Sequence, residues 1–252
     1  MIVIPSYKRS KYMKTIKTLE KHNIPKDSIT IYVIQEEVDE YKKEFPDYNI
    51  VVGVKGLVPQ RQFIIDQYPE GTPLVFMDDD LDEIDLSMTN FTLQQFIEHA
   101  FQQCKEHKAY IWGVYPVYNQ FFRKSRPDMT TCLNYIVGCF YGIINRKNPN
   151  LDVTICHHGN KEDVERSIRY FIEDGIVLRF NKVAPKTKYY GTVGGLGTKK
   201  ERIESMHIES NRIQNAFPEY GKVKVRKNGI HEFVLKKLDS NESKKDSRKK
   251  NQ

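Results

Sequence analysis

The chain has 252 residues, 39% of them hydrophobic and 12% aromatic, with a formal net charge of +7. That length accommodates one large domain with a real core. No apolar run is long enough to span a bilayer, and Met1 leads straight into a strand-like segment without a signal-peptide pattern, so a cytoplasmic protein with no membrane partner is expected.

In chain order, residues 2–4 predict a first strand and 5–10 the loop leaving it, with Ser10 capping a helix that carries Tyr12, Ile16 and Leu19 on one face. Residues 29–34 predict a second strand, 38–45 a short helix, 50–52 a third strand closed by Gly53, and 60–67 a helix after a Gly/Pro loop. Leu74 to Met77 then form an apolar run, a buried strand that stops at Asp78, Asp79 and Asp80. This alternation over the first third is the pattern of an α/β, doubly wound, mainly parallel sheet. Loops after such strands meet at one edge, which would gather Ser6, Tyr7, Arg9, Arg61 and the three aspartates from distant parts of the sequence.

Residues 92–107 predict a helix capped by Asn90, with Phe96, Ile97, Ala100, Phe101 and Cys104 on its apolar stripe, and 110–114 a strand. Residues 115–131 are irregular, aromatic and basic, with Tyr115, Tyr118, Phe121, Phe122, Arg123, Lys124 and Arg126; loops of that length are usually functional or disordered. Residues 135–144 are β-rich, thinned by Gly138 and Gly142. Asn160 is the expected cap of a helix over 161–173 that carries Glu162 and Asp163 in its first turn, and 176–180 predict another strand. Residues 186–202 combine four glycines with five basic residues, which suits a mobile lid over phosphates or an ordinary flexible loop. A helix over 202–217 and a hairpin around Asn228-Gly229 close the fold. Residues 236–252 hold seven basic against three acidic residues, and 239–252 read as a disordered basic tail. Cys104, Cys132, Cys139 and Cys156 lack any Cys-x-x-Cys pair, which argues for buried thiols over a zinc site or disulfides.

Three adjacent carboxylates at the end of a core strand repel one another and call for a cation. A hard divalent ion, Mg²⁺ or Mn²⁺, prefers such oxygen ligands and can share its remaining positions with a diphosphate. A calcium loop begun at Asp78 needs Gly at its sixth position and Glu at its twelfth, where Glu83 and Thr89 stand. Asp78-Asp79-x-x-Asp82 matches a diphosphate motif of helical terpenoid enzymes, but the run before it is β-rich. A phosphatase-type Asp-x-Asp-x-Thr/Val fails at Asp82. A solvated acidic turn is the plain alternative.

Ile4-Pro5-Ser6-Tyr7-Lys8-Arg9, Gln60-Arg61, Phe76-Met77-Asp78-Asp79-Asp80, and Glu162-Asp163 followed by Ser167-x-Arg169 and Gly175 together resemble the GT-A-fold nucleotide-sugar glycosyltransferases. With Gly194-Gly195-Leu196-Gly197 and Phe217-Pro218-Glu219-Tyr220, they resemble the TET-associated glycosyltransferases, relatives of the base J glucosyltransferase. The resemblance implies one GT-A-like catalytic domain over residues 1–238, with a nucleotide-sugar-binding half at 1–85 and a smaller acceptor-side half at 86–238. It implies inverting transfer of a hexose from a nucleoside-diphosphate sugar, above all a UDP-sugar, to the hydroxymethyl group of a modified pyrimidine in DNA, in the host cytoplasm if the protein is viral. Asp78 and Asp80 would hold Mn²⁺ or Mg²⁺, and Asp79 would contact ribose or sugar. Pro5, Ser6 and Tyr7 would line the nucleobase pocket, Arg9 and Arg61 would meet the nucleotide, and Gly194 and Gly195 would close over the donor. Asp163 would be the general base, with Glu162 as runner-up. A third metal ligand stays open among His157, His158 and His207, the plain reading for each being no ligand role. A glycan or protein acceptor, and an inactive nucleic-acid-binding module keeping the fold, are the competing readings.

Overall fold

A computed structural model describes residues 1–157, 159–187, 199–227 and 229–239. Its first third alternates as the hydrophobic pattern predicts: β1 (Ile2–Pro5), α1 (Thr15–Lys21), β2 (Ile29–Val33), α2 (Val38–Glu44), β3 (Asn49–Val52), α3 (Leu57–Gln67) and β4 (Pro73–Met77). β1 lies between β2 and β4 in parallel with both, and β3 continues in parallel beyond β2. The chain winds outward to β3 and then returns to begin β4 on the other side of β1. That reversal opens a crevice beyond the carboxyl ends of β1 and β4, the place where doubly wound sheets take ligands.

The chain continues through β5 (Leu81–Asp85), α4 (Leu93–His107), β6 (Ile111–Val114), β7 (Met129–Thr130), β8 (Phe140–Ile144), α5 (Glu162–Asp174), β9 (Leu178–Phe180), β10 (Ala184–Thr187), α6 (Lys199–Ala216), β11 (Gly221–Val225) and β12 (His231–Leu235). The central sheet has the order β3-β2-β1-β4-β8-β6-β9-β7. β8 runs antiparallel to β4 and β6, β6 pairs in parallel with β9, and β7 is an antiparallel edge.

Alternate residues of a strand face opposite sides, and both sides of this sheet are covered. Ile2 and Ile4 pack with Ile16 and Leu19 of α1, Tyr41 of α2 and Phe96 of α4. Val3 and Phe76 face the other layer, with Ile64 of α3 and Phe171 of α5. A third cluster seats α6 and the β11–β12 hairpin on α5 through Ile213, Phe233, Val164 and Ile168.

Several expected boundaries move. Ser10 sits in a short turn and donates to Glu40 (2.6 Å), while α1 starts only at Thr15 and Tyr12 is exposed. Thr92 rather than Asn90 caps α4, in a reciprocal box with Gln95. Asn160 caps nothing; Lys161 precedes α5, and the Asn160 amide donates to Ser205 Oγ. α3 starts three residues earlier than expected, with Pro59 in its first turn, where no N–H is owed to the helix. β5 was not expected at all. Leu81 and Ile84 are buried, and the strand pairs antiparallel with β10.

All four cysteines are free, and Cys104, Cys139 and Cys156 are buried. Among the described residues no helix is long and apolar enough to cross a membrane. The expected tail beyond Asp239, His158, and the glycine-rich stretch with Gly194 and Gly195 lie outside the described residues.

Candidate active site

A cleft of about 1110 Å³ opens at the crevice, and Pro5, Ser6, Tyr7, Arg9, Arg61, Asp78, Asp79, Asp80, Glu162 and Asp163 all line it. The loop after β1 is fixed by hydrogen bonds. Tyr41 OH accepts from Arg9 N (3.0 Å) and shares a hydrogen bond with Ser6 Oγ (2.7 Å), and Lys8, in the left-handed region at φ 56°, donates its N–H to Glu37. Left-handed backbone is uncommon for a side chain of this kind and needs such anchoring.

The three aspartates take different positions. Asp79 is buried, and its carboxylate accepts from Ser6 Oγ (2.5 Å) and Arg9 Nη1 (2.6 Å), while its carbonyl accepts from Lys14 N. Asp80 shares Arg9 Nη1 (2.7 Å) and accepts from Thr187 Oγ1 (2.9 Å) at the end of β10. Asp78 accepts from Arg61 Nη2 at 2.8 Å through Oδ1. Burial raises the Asp78 carboxyl to about 7 against the pull of Arg61, and Asp80, Asp79 and Glu162 push the same way as burial.

On the far wall, Arg61 joins this cluster to the start of α5. Its Nη2 also donates to Gly138 O (2.8 Å), and its Nη1 donates to Glu162 Oε1. The other oxygen of Glu162 accepts from Arg166, one helical turn on. Glu162 is 3% exposed. Burial opposes its charge, but Arg166 and Arg61 prevail and hold it below the usual glutamate value. Both oxygens are therefore committed to guanidinium groups.

Asp163, the next residue, is in a different state. It is half-buried at the cleft, and its Oδ2 accepts from Tyr135 OH (2.5 Å) and Gly138 N (3.2 Å). Burial and the charge of Glu162 raise its carboxyl above the ordinary aspartate value, although the Tyr135 hydrogen bond opposes them. A carboxylate with raised proton affinity, open to a cleft, is suited to take a proton. Gly138 leaves room for this arrangement. A Cβ there would stand 2.8 Å from Glu162 Oε1, 3.2 Å from Arg61 Nη1 and 3.4 Å from Asp163 Cβ.

Tyr135, Gly138, Arg166 and Thr187 are not expected as site residues from the sequence, where Gly138 reads only as thinning a β-rich stretch. Only Arg166 left a legible trace there, four residues after Glu162. Arg123, expected in a basic irregular segment, is fully buried instead and pairs with Asp85 of β5. Phe121 and Phe122 remain exposed beside Lys124, whose ammonium lies 5.2 Å from the Phe121 ring.

The donor set suits a hard divalent cation. Asp78 and Asp80 offer carboxylate oxygens, and Asp78 Oδ2 accepts no hydrogen bond from the described residues. Among the described residues no three His, Cys, Asp or Glu side chains converge in a metal-ligating arrangement. His157 is exposed, and His207 stacks on His231 with ring centroids 4.2 Å apart.

A parallel half, β3-β2-β1-β4, followed by a mixed half, with a cleft at the switch point, is the GT-A-like architecture of glycosyltransferases. The profile of the TET-associated glycosyltransferase family matches residues 1–193. The chain belongs to that family and is a glycosyltransferase. No curated protein matches it.

Proposed function

We propose that the protein transfers a sugar from a nucleoside-diphosphate sugar to the hydroxymethyl group of a modified pyrimidine in DNA, with Asp163 as general base. The observation that carries this reading is the continuous link from Asp78 through Arg61 and Gly138 to Asp163. Arg61 bridges Asp78 and the Gly138 carbonyl, and the N–H of the same Gly138 holds Asp163. Donor-side acid cluster and base are thereby held in one frame across the cleft.

Pro5, Ser6 and Tyr7 line the end of the cleft at β1 and take the nucleobase, with a uridine nucleotide as the first candidate. Asp78 and Asp80 would hold a divalent cation, Mn²⁺ or Mg²⁺, which when bound would supply charge neutralisation for the departing diphosphate. Arg9 is fixed by Asp79 and Asp80 at the same edge, which places its positive charge beside the diphosphate. The acceptor hydroxyl attacks the anomeric carbon as its proton passes to Asp163. The bond from that carbon to the diphosphate oxygen breaks on the opposite face, and the configuration inverts. One base suffices for this single displacement. Glu162 holds Arg61 and Arg166 and takes no proton.

Family membership and the exposed Phe121–Phe122 pair beside Lys124 support a nucleic-acid acceptor, since an unstacked base can rest on such rings. The test incubates protein and Mn²⁺ with a panel of nucleotide sugars and oligonucleotides with and without hydroxymethylpyrimidine. Mass spectrometry should find one hexose added per hydroxymethyl group, and none on the unmodified strand. Transfer to an oligosaccharide or protein acceptor alone would replace the DNA acceptor by the glycan or protein alternative.

A further inference from the structure

A second cationic centre lines the same cleft, away from the acid cluster. Arg179 is the middle residue of β9, between Leu178 and Phe180, and is 8% exposed. An arginine at such a position is normally paired with a carboxylate. Among the described residues Arg179 has no acidic partner within ion-pair distance, and its side chain makes one hydrogen bond, from Nε to Asn181 Oδ1 at 3.0 Å. Its guanidinium lies 5.2 Å from the Tyr115 ring centroid, and that of Arg126 lies 4.9 Å from the same centroid. Both arginines and Tyr115 line the cleft.

The two like charges are held together by design of the backbone. Asn181, fully buried, takes the Arg179 Nε–H on its side-chain oxygen, donates its Nδ2 to Pro127 O (3.0 Å), and donates its backbone N–H to Asp128 O (2.7 Å). β9 is thereby tied to the segment that carries Arg126. The nearest acid in sequence does not relieve the pair, because Asp128 is 92% exposed and faces Lys182. Burial and the charge of Arg126 lower the Arg179 guanidinium to about 10. An unpaired, repelling pair of guanidiniums on a cleft wall fits an anion, and paired forks match a phosphate best.

Position separates this centre from the donor diphosphate. Arg9 and the aspartates follow β1 and β4, whereas β9 lies three strands from β4 in the order β4-β8-β6-β9. At about 4.8 Å per strand that is roughly 14 Å, farther than a diphosphate reaches. We infer that Arg126 and Arg179, clasping Tyr115, form a clamp for a backbone phosphate of the acceptor strand, next to the nucleotide that receives the sugar. The clamp rests on the reading of DNA as acceptor, and it assigns the β6–β9 side of the cleft to that strand.

The test measures binding of a short single-stranded oligonucleotide carrying one hydroxymethylpyrimidine, the same strand with neutral methylphosphonate linkages, and UDP with Mn²⁺. Wild type, R126Q, R179Q and R179K are compared by fluorescence anisotropy for the strands and calorimetry for UDP. R126Q and R179Q should each weaken the charged strand about tenfold and lower the salt slope by about one, leaving UDP affinity unchanged. R179K should bind the strand less well than wild type, because a point charge lacks the fork. All four should bind the methylphosphonate strand equally weakly. Arg126 is exposed, so R126Q tests the clamp without disturbing the core. Variants that bind the charged strand as wild type does, or that lose UDP affinity instead, overturn the clamp while leaving the DNA acceptor standing. Wild-type protein that binds neither strand overturns the DNA reading, and the clamp with it.

Discussion

Glu162 and Asp163 are adjacent acids in the first turn of α5 with different partners, and the roles proposed for them are separated by a pair of substitutions. In E162Q, two buried guanidiniums lose their shared carboxylate, since Arg61 and Arg166 are only 5% and 6% exposed. The amide nitrogen of Gln would face one of those donors. Arg166 has no reserve, because its Nε and Nη2 are already buried without a partner. Breaking a buried pair by removing one member costs about 3–5 kcal/mol. For a chain of this size each kcal/mol lowers the melting midpoint by about 2–4 °C, so E162Q should melt about 6–20 °C below wild type. In D163N, the amide oxygen can keep accepting from Tyr135 and Gly138, and stability should change by no more than about 1 kcal/mol. Turnover should instead fall about 10²–10⁴-fold, the usual worth of a general base. Circular-dichroism melts and steady-state sugar transfer on the same preparations read both quantities. If E162Q melts with wild type yet loses transfer, while D163N keeps transfer, the two roles are reversed and the account of the base is wrong.

Three further outcomes follow from the same geometry. Gly138→Ala forces a Cβ to within 2.8 Å of Glu162 Oε1; it should cost about 1–3 kcal/mol in a chemical denaturation curve and weaken transfer, and a wild-type-like enzyme would contradict the close approach. Because burial and Glu162 raise the Asp163 carboxyl, the base form is lost as pH falls through a value above that of an ordinary aspartate. The kcat/KM profile should decline on its acid side there, and a flat profile down to the ordinary carboxylate range would count against Asp163. Asp78, with its carboxyl raised to about 7, binds a proton in competition with a cation. In the presence of the nucleoside diphosphate, Mn²⁺ affinity should fall about tenfold between pH 8 and pH 6, whereas unchanged affinity across that range would remove Asp78 from the metal set.

Much of the aspartate edge of the cleft is legible because its signals are local. Leu74 to Met77 running into three acids is a strand ending in charge, and the strand–helix alternation before it implies that β1 and β4 open on one edge. The far wall was harder to read, because its partners are set by distant contacts. Gly138 resembled a residue that merely weakens a strand, whereas its lack of a side chain is what lets Arg61, Glu162 and Asp163 converge. Tyr135 is defined by a partner 28 residues later. β5 was hidden by its own acids. Asp82, Glu83 and Asp85 obscure the buried pair Leu81 and Ile84, and the strand's partner β10 lies about 100 residues on. Ser10, Asn90 and Asn160 have cap chemistry, but Ser10 and Asn160 spend their side chains on Glu40 and Ser205, and Thr92 completes a better box than Asn90.

The central claim is that one cleft divides donor binding at Asp78–Asp80 from proton removal at Asp163. Calorimetric titration of UDP with Mn²⁺ into Asp80→Ala and Asp163→Asn, alongside a transfer assay to hydroxymethylated DNA, tests it directly. Asp80→Ala should lose both metal-dependent donor binding and transfer, whereas Asp163→Asn should bind the donor as wild type does and transfer sugar about 10²–10⁴-fold more slowly. Equal loss of donor affinity in both variants would contradict the division.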